Sequence, residues 1–337
     1  MARVAASQVL LLILVIAAAA SAGLIAVLRP LLARHALAQP NARSSHVAPT
    51  PQGGGIAVMA AAVAGVLAGA AISATPPAAL WPLAVAVALL AVVGACDDIH
   101  HLPVAPRLLA QIVAVAIVVA TLPSEARVVA LLPWWIERAA LLLAGVYAVN
   151  VANFMDGLDW MTVAEVVPVT AGLWVLSLIG ALASPQAAVA VALLGAMLGF
   201  APFNRPIAKL FLGDVGSLPI GLMLFWLAVQ VALHGQLAAA LLLPLYYLGD
   251  ATITLALRLA RRENVLRAHR THFYQRATAR GFAVIDVVTR VFLLNLTLAG
   301  LAIATVAMPG PWVAAAALAL GIVLVAALLV HFARGRP

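Results

Sequence analysis

Eleven apolar runs, each close to the length of a bilayer crossing, constrain this chain more than any other feature. A window of about 19 residues places them near 8–29, 54–73, 78–95, 107–122, 138–153, 160–180, 186–203, 215–233, 238–259, 287–307 and 311–331. About 20 helical residues cover the roughly 30 Å of hydrocarbon in a membrane. The breaks carry turn residues: Thr75-Pro76-Pro77, Leu122-Pro123-Ser124, Ala183-Ser184-Pro185 and Pro309-Gly310-Pro311. The fold class this predicts is all-α, a polytopic membrane bundle of about eleven helices. Ten is the alternative count, because the fourth and fifth runs are short. No repeat and no soluble segment interrupts the pattern, so residues 1–337 read as one membrane-embedded domain. The first run, with Arg3 before it and Ala20-Ser21-Ala22 inside it, has the outline of a signal peptide. Its apolar core is too long for one, and it reads as an uncleaved span. Of the 337 residues 66% are apolar and 9% charged, which excludes a soluble enzyme and a disordered chain. The single cysteine, Cys96, excludes a disulfide framework and a cysteine-ligated zinc.

Orientation follows from the basic residues. With the loop after the first run placed inside, that side receives Arg29, Arg34, Arg43, Arg107, Arg205, Lys209, Arg258, Arg261, Arg262, Arg267, Arg270, Arg276, Arg280, Arg290, Arg334 and Arg336. The outside keeps Arg3, Arg127 and Arg138. Sixteen of 19 on one side is a strong positive-inside pattern, with the N-terminus outside and the C-terminus inside. The net charge of +8 is then topological and asks for no nucleic acid. Its densest part, Arg258 to Arg280, still suits an anionic partner.

Five of the 11 acidic residues, Asp97, Asp98, Asp156, Asp159 and Asp214, fall at inner ends of runs, while the outer loops hold Glu125 and Glu137. At mid-bilayer each would cost about 2.5–3.5 kcal/mol on insertion scales, so they must line a wet cleft at the inner surface. Any one of them alone reads equally well as an ordinary loop acid. Clustered carboxylates repel unless a cation or protons join them, and oxygen-only ligands suit magnesium or manganese. Their neighbours suit phosphate. Asp97-Asp98 is followed by His100-His101 and then Arg107. Asn150, Asn153, Asp156 and Asp159 recur every three residues, which is one stripe of a helix. Phe211-Leu212-Gly213-Asp214-Val215-Gly216-Ser217 sets an acid between two glycines that admit a ligand to the backbone. His269-Arg270-Thr271-His272-Phe273-Tyr274-Gln275-Arg276 offers donors to a diphosphate. Taken singly, a histidine pair in a basic loop is more often plain surface.

These stretches, joined by Pro40-Asn41-Ala42-Arg43-Ser44-Ser45-His46 and Pro49-Thr50-Pro51-Gln52-Gly53-Gly54-Gly55, resemble the polyprenyl-phosphate N-acetylhexosamine-1-phosphate transferases. The details look most like the branch that initiates O-antigen. The resemblance implies transfer of a sugar-1-phosphate from a UDP-N-acetylhexosamine to polyprenyl (undecaprenyl) phosphate, with release of UMP and with magnesium as cofactor, manganese being the alternative ion. It implies a metal site on Asp214 and Asn153, a uracil stacked on Phe211, and a uridine approached by Gly157, Leu158 and Asp159. Arg107, His269, Arg270, His272 and Arg276 would hold the diphosphate. Asp97 and Asp98 would lie beside the lipid phosphate, with Asp156 supporting the same centre. Two positions depart from the family pattern. Trp160 replaces the usual glycine after the second aspartate, and Tyr274 stands where many members have a further histidine.

A base at Asp97 or Asp98 is often proposed for the family. A phosphate monoester with a second pKa near 6 is already mostly dianionic at pH 7, which favours a positioning role instead. Asp250, in the ninth run, is the one acid placed deep, and it either stabilises the bundle or shapes the site. The sequence leaves open a homodimer, the lipid groove and the identity of the sugar. Three rivals fit less well. A secondary transporter predicts inverted repeats and mid-depth acids. An intramembrane aspartyl protease needs a GxGD element, but Phe211 and Tyr247 stand at its first glycine. A CDP-alcohol phosphotransferase would show a longer motif than Asp156-Gly157.

Overall fold

The computed structural model describes residues 2–38, 49–73, 78–264 and 269–336, without the side chains of 2–6 and 78. The stretch 40–46, the turn at 75–77, Arg43, Arg267 and the Arg3 side chain lie outside the described residues. Thirteen helices follow one another: α1 (Ala2–His35), α2 (Gly54–Ile72), α3 (Trp81–His100), α4 (Val104–Ala120), α5 (Trp134–Met155), α6 (Met161–Leu178), α7 (Ser184–Asn204), α8 (Asp214–Leu233), α9 (Leu237–Leu242), α10 (Leu245–Ala260), α11 (Phe273–Ala279), α12 (Val284–Ala307) and α13 (Pro311–Arg334). Two short strands, β1 (Leu37–Ala38) and β2 (Thr50–Pro51), pair antiparallel ahead of α2. Prolines punctuate the helix starts: Pro82, Pro185 and Pro311 sit in first turns, and Pro103 and Pro133 precede α4 and α5. A proline there loses no intrahelical hydrogen bond and presets the helical φ.

Nine of these helices (α1, α2, α3, α5, α6, α7, α8, α12 and α13) are long and apolar enough to cross a membrane, among the described residues. This is the polytopic helical bundle that the sequence predicts. The fourth run is the 17-residue α4, about 26 Å long. The ninth run, read as one span, is instead two helices: α9 ends at Leu242 and α10 begins at Leu245. Pro244 lies in the break, where its missing N–H and its clash with the preceding turn stop a continuous helix.

α8 is the most enclosed span and packs against α2, α3, α5, α7 and α9. Close packing without a hydrophobic drive between helices relies on small residues: a methyl at Gly221 of α8 would come 2.8 Å from the Val149 Cα of α5. The motif residues sit at the C-terminal ends of α3, α5 and α7 and the N-terminal ends of α2, α4 and α8. In an up-and-down bundle that is one end.

Candidate active site at the acidic end of the bundle

The site is organised by the junction of α3 and α8. α3 stops at His101, whose left-handed backbone (φ 51°) turns the chain, and Pro103 starts α4 so that its first turn brings Arg107 back over Asp97. Asp97 accepts the Leu102 N–H at 2.6 Å and an Arg107 hydrogen bond. Arg107 reaches Asp214 as well, at 3.7 Å, and bridges the two carboxylates. Asp98 caps α8 from outside: its carboxylate oxygens accept the Asp214 N–H at 2.9 Å and the Val215 N–H at 3.1 Å, the first two of that helix. Gln52 donates its amide to the same carboxylate. A helix N-terminus carries unpaired N–H groups and a partial positive charge, so a carboxylate belongs there. Gly213 makes the cap fit, with φ 79° and a Cα face against Asp98 and Gln52 that a side chain would fill.

The segment before α2 completes the junction. Phe211 donates its N–H to the Pro51 carbonyl at 2.8 Å, and Gly54 and Gly55 donate to the Phe211 and Leu212 carbonyls at 2.9 and 2.8 Å. Gly55 and Gly216 then cross backbone on backbone: a methyl at Gly216 would stand 2.8 Å from the Gly55 Cα. The Phe211 ring is left half-buried at the rim.

The end of α5 contributes the second wall. Asn153 donates its amide to Asp214 at 2.7 Å and to Ser217 at 3.0 Å, leaving the amide oxygen for another partner. Asp156, half-buried, accepts the Thr162 hydroxyl. Burial pushes its carboxyl up to about 7; the Thr162 hydrogen bond works against this, and the charges of Asp98 and Asp159 add to it. Asp159 is buried, and its carboxylate accepts the Ala208 N–H at 2.9 Å. Trp160 follows in the left-handed region (φ 62°), where a glycine costs nothing. Its N–H goes to Asn204 at 2.8 Å and its indole N–H to the Ala201 carbonyl at 2.6 Å. Together Asp159 and Trp160 clamp the 156–160 turn to the 204–210 loop. Leu158 is buried, and Gly157 lies against the Tyr274 hydroxyl and the Gln275 amide. Asn150, on the same stripe, is spent inside the bundle on Gln111 of α4 at 2.6 Å.

The basic loop is fastened by Asp250. This carboxylate, completely buried on α10, accepts the Phe273 and Tyr274 N–H groups at 3.0 and 3.1 Å, the first two of α11. His272 (3.2 Å), Thr254 (3.2 Å) and Tyr246 (3.3 Å) complete its shell. His269 stacks on His272 at 4.9 Å. Arg276 lies over the Phe273 ring at 5.3 Å, and Arg270 is exposed. Tyr274 hydrogen-bonds the Phe154 carbonyl at 2.8 Å and so docks the loop on the end of α5. Asp250 therefore fastens the basic loop to α10 from inside the bundle.

Of the sequence-derived set, Asp97, Asp98, Arg107, Asn153 and Asp214 meet at one centre, with Asp156 close enough to feel the Asp98 charge. Asp159 and His272 face protein partners beside it. His100 and His101 are exposed. Gln52, Thr162 and Ser217 take part, although sequence reasoning gave them no role; Gln52 and Ser217 did lie inside quoted motifs. Among the described residues no three His, Cys, Asp or Glu side chains form a metal cage. Asp98 spends its oxygens on N–H donors and Asp97 is held by Leu102 and Arg107. What the protein offers a cation is therefore Asp214 and the Asn153 oxygen. Magnesium is commonly held by one or two protein oxygens, with water and substrate phosphate supplying the rest, so the residues fit it.

Comparison with known proteins bears on the same region. Residues 80–232 match the family described as Glycosyl transferase family 4, which takes in every site residue from Asp97 to Asp214. The decaprenyl-phosphate N-acetylglucosaminephosphotransferase of Mycobacterium leprae is 31% identical over 223 residues, covering 60% of this chain and 55% of that protein. A probable undecaprenyl-phosphate N-acetylglucosaminyl 1-phosphate transferase of Bacillus subtilis is 26% identical, covering 77% and 75%. The phospho-N-acetylmuramoyl-pentapeptide-transferase of Acinetobacter baylyi is 28% identical, covering 47% and 46%. The chain spans about half the length of the mycobacterial and Acinetobacter relatives. Over residues 80–232 the chain is thus similar to glycosyl transferase family 4, and the relatives it matches are polyprenyl-phosphate N-acetylglucosamine phosphotransferases and phospho-N-acetylmuramoyl-pentapeptide-transferases.

Proposed function

We propose that the chain transfers an N-acetylhexosamine-1-phosphate from a UDP-sugar to polyprenyl phosphate at the cytoplasmic face of a bacterial inner membrane. One observation carries the reading: Asp97 and Asp214 share a single arginine, Arg107, with a third acid, Asp98, on the Asp214 N–H and the Asn153 amide beside them. Such an excess of negative charge asks for a cation that arrives with a phosphate. An oxygen of the lipid phosphate attacks the β-phosphorus of the UDP-sugar. The bond from that phosphorus to the bridging oxygen breaks, and UMP leaves with the electron pair. Magnesium, held by Asp214 and Asn153, would neutralise charge on the diphosphate.

The chain's own residues supply position. Arg107 holds Asp97 and Asp214 together and presents its remaining donors to an anion. Asp98 fixes the start of α8, and with it Asp214. The loop bearing His269, Arg270, His272 and Arg276 faces the second substrate charge, docked there through Tyr274. Phe211 at the rim offers its ring to uracil beside the 157–159 turn. A general base is unnecessary, because the attacking phosphate is already ionised.

The names of the mycobacterial and Bacillus relatives make N-acetylglucosamine the first donor to test. Initiation of O-antigen rests on motif detail alone. The decisive experiment follows UMP release from UDP-N-acetylglucosamine by the purified chain, with undecaprenyl phosphate and magnesium. Release that requires all three is expected. No release with any UDP-N-acetylhexosamine in a panel would overturn the reading.

A further inference from the structure

Asp250 is not, as the sequence suggests, the one acid placed deep: Glu165 also lies inside a span, four residues into α6, and is completely buried. Among the described residues no cation faces it. Its one hydrogen-bond partner is the Asn295 amide of α12, at 2.7 Å, and the same amide also binds the Ala164 carbonyl at 2.9 Å. The second Glu165 oxygen and the Asn295 amide oxygen are buried without a partner, and the buried Tyr247 hydroxyl of α10 is within hydrogen-bond reach of Thr162. Tyr247 stands within electrostatic reach of both Glu165 and Asp156. Thr162, three residues before Glu165 and so on the same face of α6, gives its hydroxyl to Asp156.

A buried carboxyl with unpartnered polar neighbours is costly, and apolar side chains would fill the same space without that cost. Two buried acceptors from α6 and α12 stand without a donor there, and Tyr247 of α10 meets the same face of α6 at Thr162. The placement says what such an arrangement holds. α10 and α12 flank residues 261–283, which contain the basic loop, and α6 starts from the Asp156–Trp160 turn. Among the described residues, α6 meets α12 by polar contact through Asn295, which bonds Glu165 and the Ala164 carbonyl, and meets α10 through Thr162 and Tyr247.

We infer that Glu165 is a positioning residue: from inside the bundle it keeps α10 and α12, and hence the His269–Arg276 loop, in register with the Asp156 turn. The catalytic part of this inference rests on the proposed transfer reaction, but its structural part does not. Hydrogen–deuterium exchange on the purified full chain in detergent tests the structural part. Glu165→Leu is expected to raise exchange across 269–276 by about tenfold while residues 123–138, at the opposite end of the bundle, stay as in the wild type. Glu165→Gln, which keeps the shape and one acceptor, is expected to restore protection.

In the UMP-release assay Glu165→Leu should lower kcat by about tenfold with little change in KM for UDP-N-acetylglucosamine, as for a group that orients rather than binds. Unchanged exchange at 269–276 would overturn the inference. So would a rise throughout the chain, 123–138 included, which marks plain loss of stability. Should Glu165→Leu fail to fold, Asn295→Ala is read by the same two outcomes. If the wild type releases no UMP the transfer reading fails, and the exchange pattern still decides the role of Glu165.

Discussion

Asp98 and Asp250 cap helices in the same way. Each reaches across from a neighbouring helix and accepts the first two N–H groups of another, α8 for Asp98 and α11 for Asp250. Their surroundings differ. Around Asp250 stand Tyr246, Thr254 and His272, all turned towards the carboxylate. Around Asp98 stand the acids Asp97, Asp156 and Asp214, with Arg107 as the cation that joins two of them. A carboxylate ringed by donors is a finished structural element. One in the company of other acids leaves negative charge over for a ligand to meet.

The sharpest way to break this contrast is Asp214→Asn. It should cut UMP release by on the order of 10²–10³-fold, the scale for removing a group that meets transition-state charge, with little change in melting temperature. Asp250→Ala should do the reverse. It strands five donors in a buried site, at about 1–3 kcal/mol for each buried group left unpaired, so several kcal/mol of stability is at stake, read by chemical denaturation. Asp98→Ala should cost less, about 1–2 kcal/mol as for a lost helix cap, because it also relieves repulsion. Equal destabilisation by Asp98→Ala and Asp250→Ala would erase the distinction.

Asp156 supplies a pH signature. Its folded carboxyl titrates near 7 against an ordinary 3.8, so protonation favours the folded state. In metal-free protein, stability present below about pH 4 is lost as pH rises through 7, by up to about 4 kcal/mol. Melting curves at pH 5 and pH 8 should show this loss in the wild type and not in Asp156→Asn. Trp160→Gly should cost about 2–3 kcal/mol, because the half-buried indole packs against the core and bonds the Ala201 carbonyl, and relief of the left-handed backbone returns only about 1 kcal/mol of that. No loss would make the backbone strain more important than the clamp on the 204–210 loop.

The span pattern and the five-residue centre were legible from sequence because both are written in local signals: apolar length, and acids set in short motifs. What escaped needed distance. Asp98 and the α8 N–H groups it caps are 116 and 117 residues apart, so its capping role has no local trace, and Gln52 is 46 residues from the acid it holds. Asp250 looked ambiguous because its donors come from a loop more than 20 residues on. The break before α10 did leave a sign in Pro244, which the surrounding leucines masked. Trp160 is the instructive departure: it occupies a backbone conformation suited to glycine, and the neighbouring helix end supplies a carbonyl for its indole.

The crossing of Gly55 and Gly216 limits how this protein can diversify. With no side chain between the two backbones, any larger residue at either position wedges the starts of α2 and α8 apart and draws Asp214 away from Asn153. The floor of the site is thus closed to gradual change. Preference among donor sugars has to be tuned from the rim, by the half-buried Phe211, the 204–210 loop and the basic loop above it.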